Sequence, residues 1–150
     1  MQNRLPVAAL ALMLCAAPAF AQPGSPNTTP GTVTRVTLIR IKPGHADQFW
    51  QDIRQHLKPI NDEYKRQGLL INYTVATKST LESPDDWNVA LTQTYPNWAA
   101  LDTFTPRTDP ITIAHYGSVA NRSAAGMART EHGTTVASFL VRDQTVNPWK

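Results

Sequence analysis

The chain has 150 residues, with 14 basic against 11 acidic side chains and a formal net charge of +3. That length is one domain's worth, and so small and evenly spread a charge excess excludes association with nucleic acid or a membrane surface driven by bulk charge. The single cysteine, Cys15, lies near the N-terminus, so the rest of the chain can form neither disulfides nor thiolate metal sites.

Residues 1–21 read as an export signal. Arg4 precedes an apolar run from Leu5 to Ala17, and Ala19-Phe20-Ala21 places small residues at the two positions a signal peptidase reads. The run is shorter than the roughly 20 residues a membrane span needs. Cleavage before Gln22 would deliver the mature chain to the periplasm or the medium, with no membrane attachment. Residues 22–32 hold Pro23, Gly24, Pro26, Pro30 and Gly31, a composition that buries little, and so predict a flexible leader. The folded domain is expected over residues 33–142, with an irregular tail over 143–150.

The first strand is predicted from Val33 to Lys42, where Val36, Leu38, Ile39 and Ile41 crowd a β-branched run. Pro43-Gly44 breaks it. Phe49, Trp50, Ile53, Leu57, Ile60 and Tyr64 then recur at helical spacing, and Asp47 suits the positive end of the helix dipole. Pro59 falls inside this pattern and should kink the helix near Gln55 or His56. Gly68 stands where a helix end favours positive φ, and a second strand is expected from Leu69 to Ala76. The polar turn Ser83-Pro84-Asp85-Asp86 leads to a third strand, Trp87 to Tyr95. Asn97 can cap a short helix through Leu101. Thr105-Pro106 should break that helix, and Asp109-Pro110 should restart it towards Met127. A last strand is predicted from Thr134 to Arg142.

The order β-α-β-β-α-β is the ferredoxin-like arrangement of the α+β class, with a four-stranded antiparallel sheet. Strand one places Val36 and Leu38 on one face and Ile39 and Ile41 on the other. Strand four places Val136 and Leu140 opposite Phe139 and Val141. Helices cover one face of such a sheet, so an apolar second face calls for a homodimer through sheet faces.

With these elements in place, Val36 through His45, the pair Phe49-Trp50, Gly68, and Tyr95 through Leu101 resemble the dimeric α+β barrel superfamily. The resemblance implies likeness to antibiotic-biosynthesis monooxygenases, haem-degrading enzymes, stress-responsive barrels and exported members of no assigned role, the last being nearest in look. Haem degradation in that superfamily implies an asparagine on the first strand, a tryptophan near the third and a histidine on the second helix. Trp87 and His115 could fill the last two roles, but strand one offers Arg35, Thr37 and Arg40 and no asparagine. No cofactor is therefore expected.

The histidines His45, His56, His115 and His132 are widely spaced, without the convergent ligand pattern of a metal site. No nucleophile elbow, phosphate loop or dinucleotide fingerprint is present. The aromatic residues are more suggestive. Trp50, Tyr73, Trp87, Tyr95 and Trp98, with Asn72 and His115 as polar tips, could line a pocket for a small aromatic or apolar ligand between sheet and helices. An alternative is a cofactor-independent monooxygenase that stabilises a phenolate with His115 or Arg40 as its catalytic group. A third is a non-catalytic structural or interaction module.

Overall fold

The computed structural model describes residues 27–149; the expected signal peptide and the first part of the expected leader lie outside them. Strand β1 (Thr28–Ile41) is followed by helix α1 (Ala46–Asp52), a π-helical segment (Ile53–Leu57) and helix α2 (Lys58–Arg66). Strands β2 (Asn72–Thr77) and β3 (Val89–Tyr95) come next. Helices α3 (Ala99–Asp102), α4 (Phe104–Tyr116) and α5 (Val119–His132) then lead to strand β4 (Gly133–Val146). The sheet order is β2-β3-β1-β4, all antiparallel, which is the ferredoxin-like α+β topology expected from the sequence.

Pro59 accounts for the π-helical segment. Its ring clashes with the carbonyl of Gln55 and it has no N–H to donate there, so the preceding turn widens to five residues instead of breaking. The kink expected near Gln55 and His56 is this widened turn. It leaves Leu57, Ile60, Asn61 and Tyr64 on the side of the helices that faces the sheet.

Gly68 ends the first helical layer at φ +68°, a conformation costly for any residue with a Cβ. The turn folds the chain back so sharply that Leu69 donates to the Tyr64 carbonyl at 2.8 Å, and Leu69 and Leu70 are buried beneath α2. They are core residues and not strand residues: β2 starts at Asn72, three positions later than the alternation of Leu69, Ile71, Tyr73 and Val75 suggests. Burial of two adjacent leucines requires a turn, since a strand would point them to opposite faces.

Both ends of the domain extend further than composition indicates. Thr28 pairs with Val146 and Pro30 with Gln144, so residues 28–32 and 143–146 form a ribbon continuing β1 and β4. A register shift between Pro30 and Val33 accommodates the proline, whose missing N–H is tolerated at such an irregularity. The Thr32 hydroxyl also donates to Asp143 across the ribbon.

The region after β3 is three helices. Asn97 caps the first, accepting from the Ala100 N–H at 3.0 Å as expected. The break then falls at Thr103 and not at Thr105-Pro106. Pro106 occupies the first turn of α4, where no N–H partner is needed, and α4 runs on through Pro110. Gly117, at φ +80°, terminates α4, and the Ser118 hydroxyl starts α5 by accepting from Asn121. A Gly-Ser pair thus divides what the sequence suggests is one helix.

The helix-facing side of the sheet carries Val33, Tyr95 and Val89, all fully buried, together with Arg35, Gln93 and Tyr73. The opposite side carries Val36, Leu38, Phe139 and Val141. Leu140 pairs with Arg35 and so belongs to the helix-facing side, while Val136 is the extra residue of a β-bulge at the Leu38/Ile39 step and shares no register with Leu38.

Two glycine substitutions test this reading by denaturant unfolding. Gly68→Ala should cost about 1 kcal/mol through its positive φ, although no atom lies within 4 Å of the added carbon. Gly126→Ala, inside α5 in open space, should stabilise by about 0.5–1 kcal/mol.

Candidate functional site

The space between sheet and helices is not completely filled. A cavity of about 280 Å³ lies over β3, walled by α2, α4 and α5; Gln93, Asn61, Tyr64, Tyr116, Arg122 and Arg129 line it. A smaller one of about 110 Å³ shares Leu57, Asn61 and Gln93 with it and extends towards Arg35 and Tyr73. The two adjoin at Leu57, Asn61 and Gln93 and form one cleft, to whose floor the helix-facing side of β1, β3 and β2 contributes Arg35, Gln93 and Tyr73.

At the centre of the floor is a chain of neutral hydrogen bonds. The Tyr95 hydroxyl donates to Gln93 Oε1 at 3.0 Å, Gln93 Nε2 donates to Asn61 Oδ1 at 2.7 Å, and Asn61 Nδ2 donates to the Leu57 carbonyl at 2.8 Å. Asn61 is 3% exposed. Burying an amide costs free energy unless both ends are bonded, so this chain fixes the distance between α2 and β3. It ties the helix to the strand through two polar side chains.

The wall on α5 is cationic. Arg122 and Arg129, seven positions apart, face the same way. Arg122 Nη1 donates to Asp109 at 2.7 Å and to the Thr112 hydroxyl at 3.1 Å. Arg129 donates through Nε to Asp52 at 2.7 Å and through Nη2 to the Tyr116 hydroxyl at 2.8 Å. Burial is the largest single influence and works against the Arg129 charge, but the bond and charge of Asp52 together with those of Tyr116 outweigh it and raise the pKa. On the floor, the Arg35 guanidinium lies 5.7 Å from the Tyr95 ring centroid.

The tyrosines of this layer resist ionisation. Burial raises the pKa of Tyr64 and of Tyr95. Tyr73 is pushed up to about 12, by burial first and then by the bond its hydroxyl donates to Asp62 at 2.6 Å. Asp62 is correspondingly lowered, chiefly by Lys58 and then by Tyr73.

The residues singled out from the sequence divide between several places. Tyr73 and Tyr95 lie on the cleft floor. Asn72 is on the opposite face of the sheet, accepting from Lys65 Nζ at 3.2 Å. Trp50 packs edge-on against Phe49 at 5.2 Å. Trp87 lies in the β2–β3 connection with Lys78 Nζ 5.1 Å above its ring, and Lys78 is bonded to Asp86. Trp98 is 44% exposed at the start of the helical region. Arg40 shares the open sheet face with Leu38 and pairs with Asp85. His115 sits in an outer groove between α2 and α4, its Nε2 2.9 Å from His56 Nδ1. Its pKa is lowered by burial and then by the His56 charge.

Asn61, Gln93, Tyr116, Arg122 and Arg129 were not among those candidates. Some carry a signal in the sequence. Asn61 interrupts the stripe Leu57, Ile60, Tyr64, and Gln93 interrupts the inward set Val89, Leu91, Tyr95; a polar residue on a buried stripe needs a partner. The arginines could not be placed without knowing that Ser118 restarts the helix.

No family model and no curated protein matches this chain. Among solved structures, the fold is similar to that of HapK from Hahella chejuensis, with a TM-score of 0.50 and 12% identity over 79% of this chain and 97% of that one. It is also similar to a dimeric ferredoxin-like protein of unknown function from Thermobifida fusca, with a TM-score of 0.45 and 10% identity over 77% of this chain and 92% of that one. A dimeric ferredoxin-like protein from an uncultured marine organism gives 0.47 and 12% over 81% and 100%. At such identity the likeness to HapK shows the fold alone: a ferredoxin-like α+β domain.

Asn61→Leu should destabilise by about 1 kcal/mol, because half-buried Gln93 loses its acceptor; chemical denaturation measures this. Alkaline titration should show a second effect. The folded state holds the Tyr73 proton more tightly than the unfolded one, so its contribution is complete below pH 10 and is lost as the pH climbs to about 12. Tyr73→Phe should remove that part of the alkaline decline.

Proposed function

We propose that the protein is a small-molecule-binding homodimer whose ligand occupies the cleft between sheet and helices. The observation that carries this reading is the bonded amide pair Gln93–Asn61, which keeps a cavity of about 280 Å³ next to a well-packed core of Tyr64, Leu69, Leu70 and Tyr95. Binding sites are concave, with apolar walls combined with a few placed polar groups, and this cleft has that make-up. Tyr64, Tyr116 and Ile60 supply the apolar and aromatic surface for a ring.

The second copy covers the open sheet face. Between Arg40 at one end and Asp143 at the other, that face presents Thr34, Val36, Leu38, Ala90, Thr92, Thr94, Ala137, Phe139 and Val141, with no charged side chain among them. Its hydroxyls are bonded to one another across strands, Thr34 to Thr94 at 3.0 Å and Thr74 to Thr92 at 2.6 Å. Phe139 and Val141 remain 46% and 41% exposed in the single chain. A flat, uncharged and internally satisfied face suits a like face, and a two-fold pairing matches it to itself. Export to the periplasm or medium belongs to the same proposal and rests on residues 1–21 alone.

The two groups the sequence offered for stabilising a phenolate, Arg40 and His115, lie on the open sheet face and in the outer groove, away from the cleft.

Two experiments test the proposal. Leu38→Asp places a charge in the paired face and should convert a sedimenting dimer to monomer or unfold it; an unchanged folded dimer rejects the interface. Thr112→Trp should fill the cleft; because it also removes the hydroxyl that accepts from Arg122, circular dichroism and sedimentation check that the variant is folded before binding is compared. Saturation-transfer NMR with 2-naphthamide should detect contact with the parent protein and none with the variant. Equal contact with both rejects the cleft as the site.

A further inference from the structure

We infer that the cleft selects ligands carrying an anionic group beside an aromatic ring, with Arg122 and Arg129 receiving the anion. This rests on the cleft being the binding site. The sequence alone suggests a ligand that is aromatic or apolar; the charges on the cleft wall narrow that class.

No carboxylate lines either part of the cleft among the described residues, whereas Arg122 and Arg129 line one part and Arg35 the other. The carboxylates that balance the two α5 arginines, Asp109 and Asp52, stand behind them and each engages one edge of the guanidinium. Arg122 uses only Nη1 on Asp109 and Thr112, and Arg129 uses Nε and one donor of Nη2. Each planar fork therefore keeps donors directed elsewhere, and its orientation is fixed by the bonds it already makes. A guanidinium held on one edge and open on another is preorganised for a second oxyanion. Arg35 makes no ion pair within the described residues and lies over the Tyr95 ring, so the positive charge of the cleft exceeds what its own acids balance.

The rest of the lining fits the other half of the ligand. Tyr64, Ile60 and Leu57 offer ring faces and methyl groups opposite the arginines. The amides of Asn61 and Gln93 sit between, able to bond a hydroxyl or carbonyl substituent. A volume of about 280 Å³ is that of roughly nine liquid waters at about 30 Å³ each, enough for one or two fused rings and not for a chain lipid. The class is a small aromatic acid.

The test compares two probes of one shape, 2-naphthoate and 2-naphthamide, with the full chain at pH 7 by calorimetry or ligand-observed NMR. Naphthoate should bind about tenfold more tightly than the amide. Arg122→Gln should abolish that preference, weakening naphthoate about tenfold and leaving the amide within twofold. Arg122 is the residue of choice because its partner Asp109 is half-exposed and tolerates the loss; Asp52, behind Arg129, is much less exposed. Arg129→Lys keeps the charge and loses the fork, and should weaken naphthoate while the protein stays folded. Equal binding of the two probes, or an equal loss of both in Arg122→Gln, overturns the anion inference and leaves the cleft standing. Failure of both probes to bind overturns the cleft reading and this inference with it.

Discussion

A hydrogen-bonded amide pair, buried Asn61 and half-buried Gln93, joins the helix layer of this molecule to its sheet. Gln93 projects from the middle of the sheet and Asn61 from the helix above it, and neither can be desolvated without the other. The helix is tied to the strand across two polar side chains and one hydrogen bond. The cleft, its arginine wall, Tyr64 and Tyr95 are arranged around that link. Leu57 and Asn61, one helical turn apart where the widened turn passes into α2, face the sheet together.

The two faces of the sheet use different physics. The helix-facing side is polar at its centre and aromatic around it; above it Arg122 and Arg129 are held by ion pairs to Asp109 and Asp52, and Arg35 lies over the Tyr95 ring. The other side is uncharged over its central part, and its threonine hydroxyls satisfy one another across the strands. The first is suited to a solute that brings its own polar groups. The second is suited to a surface of the same composition. A dimer formed on the second leaves the first unobstructed, so assembly and binding need not compete.

Much of the fold was legible in the sequence. The strand-to-helix switch at Pro43-Gly44, the turn at Gly68 and the cap at Asn97 are local signals, each set by a residue whose backbone or side-chain chemistry permits few alternatives. The errors have a common cause. Leu69 and Leu70 fit the alternation of a strand, but tertiary burial under α2 claims both. Thr28 to Thr32 look too polar and proline-rich for a strand, but β4 supplies a distant partner that composition does not reveal. The prolines at 106 and 110 suggest a break, but one falls in the first helical turn and the other is carried along by the helix. The candidate site was legible only in part. Tyr73 and Tyr95 reach the cleft because strand periodicity fixes their face. Asn72 and Arg40 do not, because register placed them one residue away, on the other face. Arg122 and Arg129 depend on the Ser118 cap, which sets the phase of α5.

The most direct test of a ligand cleft built around the amide pair is the side-chain amide spectrum of ¹⁵N-labelled protein on addition of 2-naphthoate. Binding in the cleft predicts that the Asn61 Nδ2 and Gln93 Nε2 resonances shift together, in company with the backbone of Tyr116. Shifts confined to Glu63 and His115 in the outer groove, or to Val36 and Phe139 on the open sheet face, would contradict it.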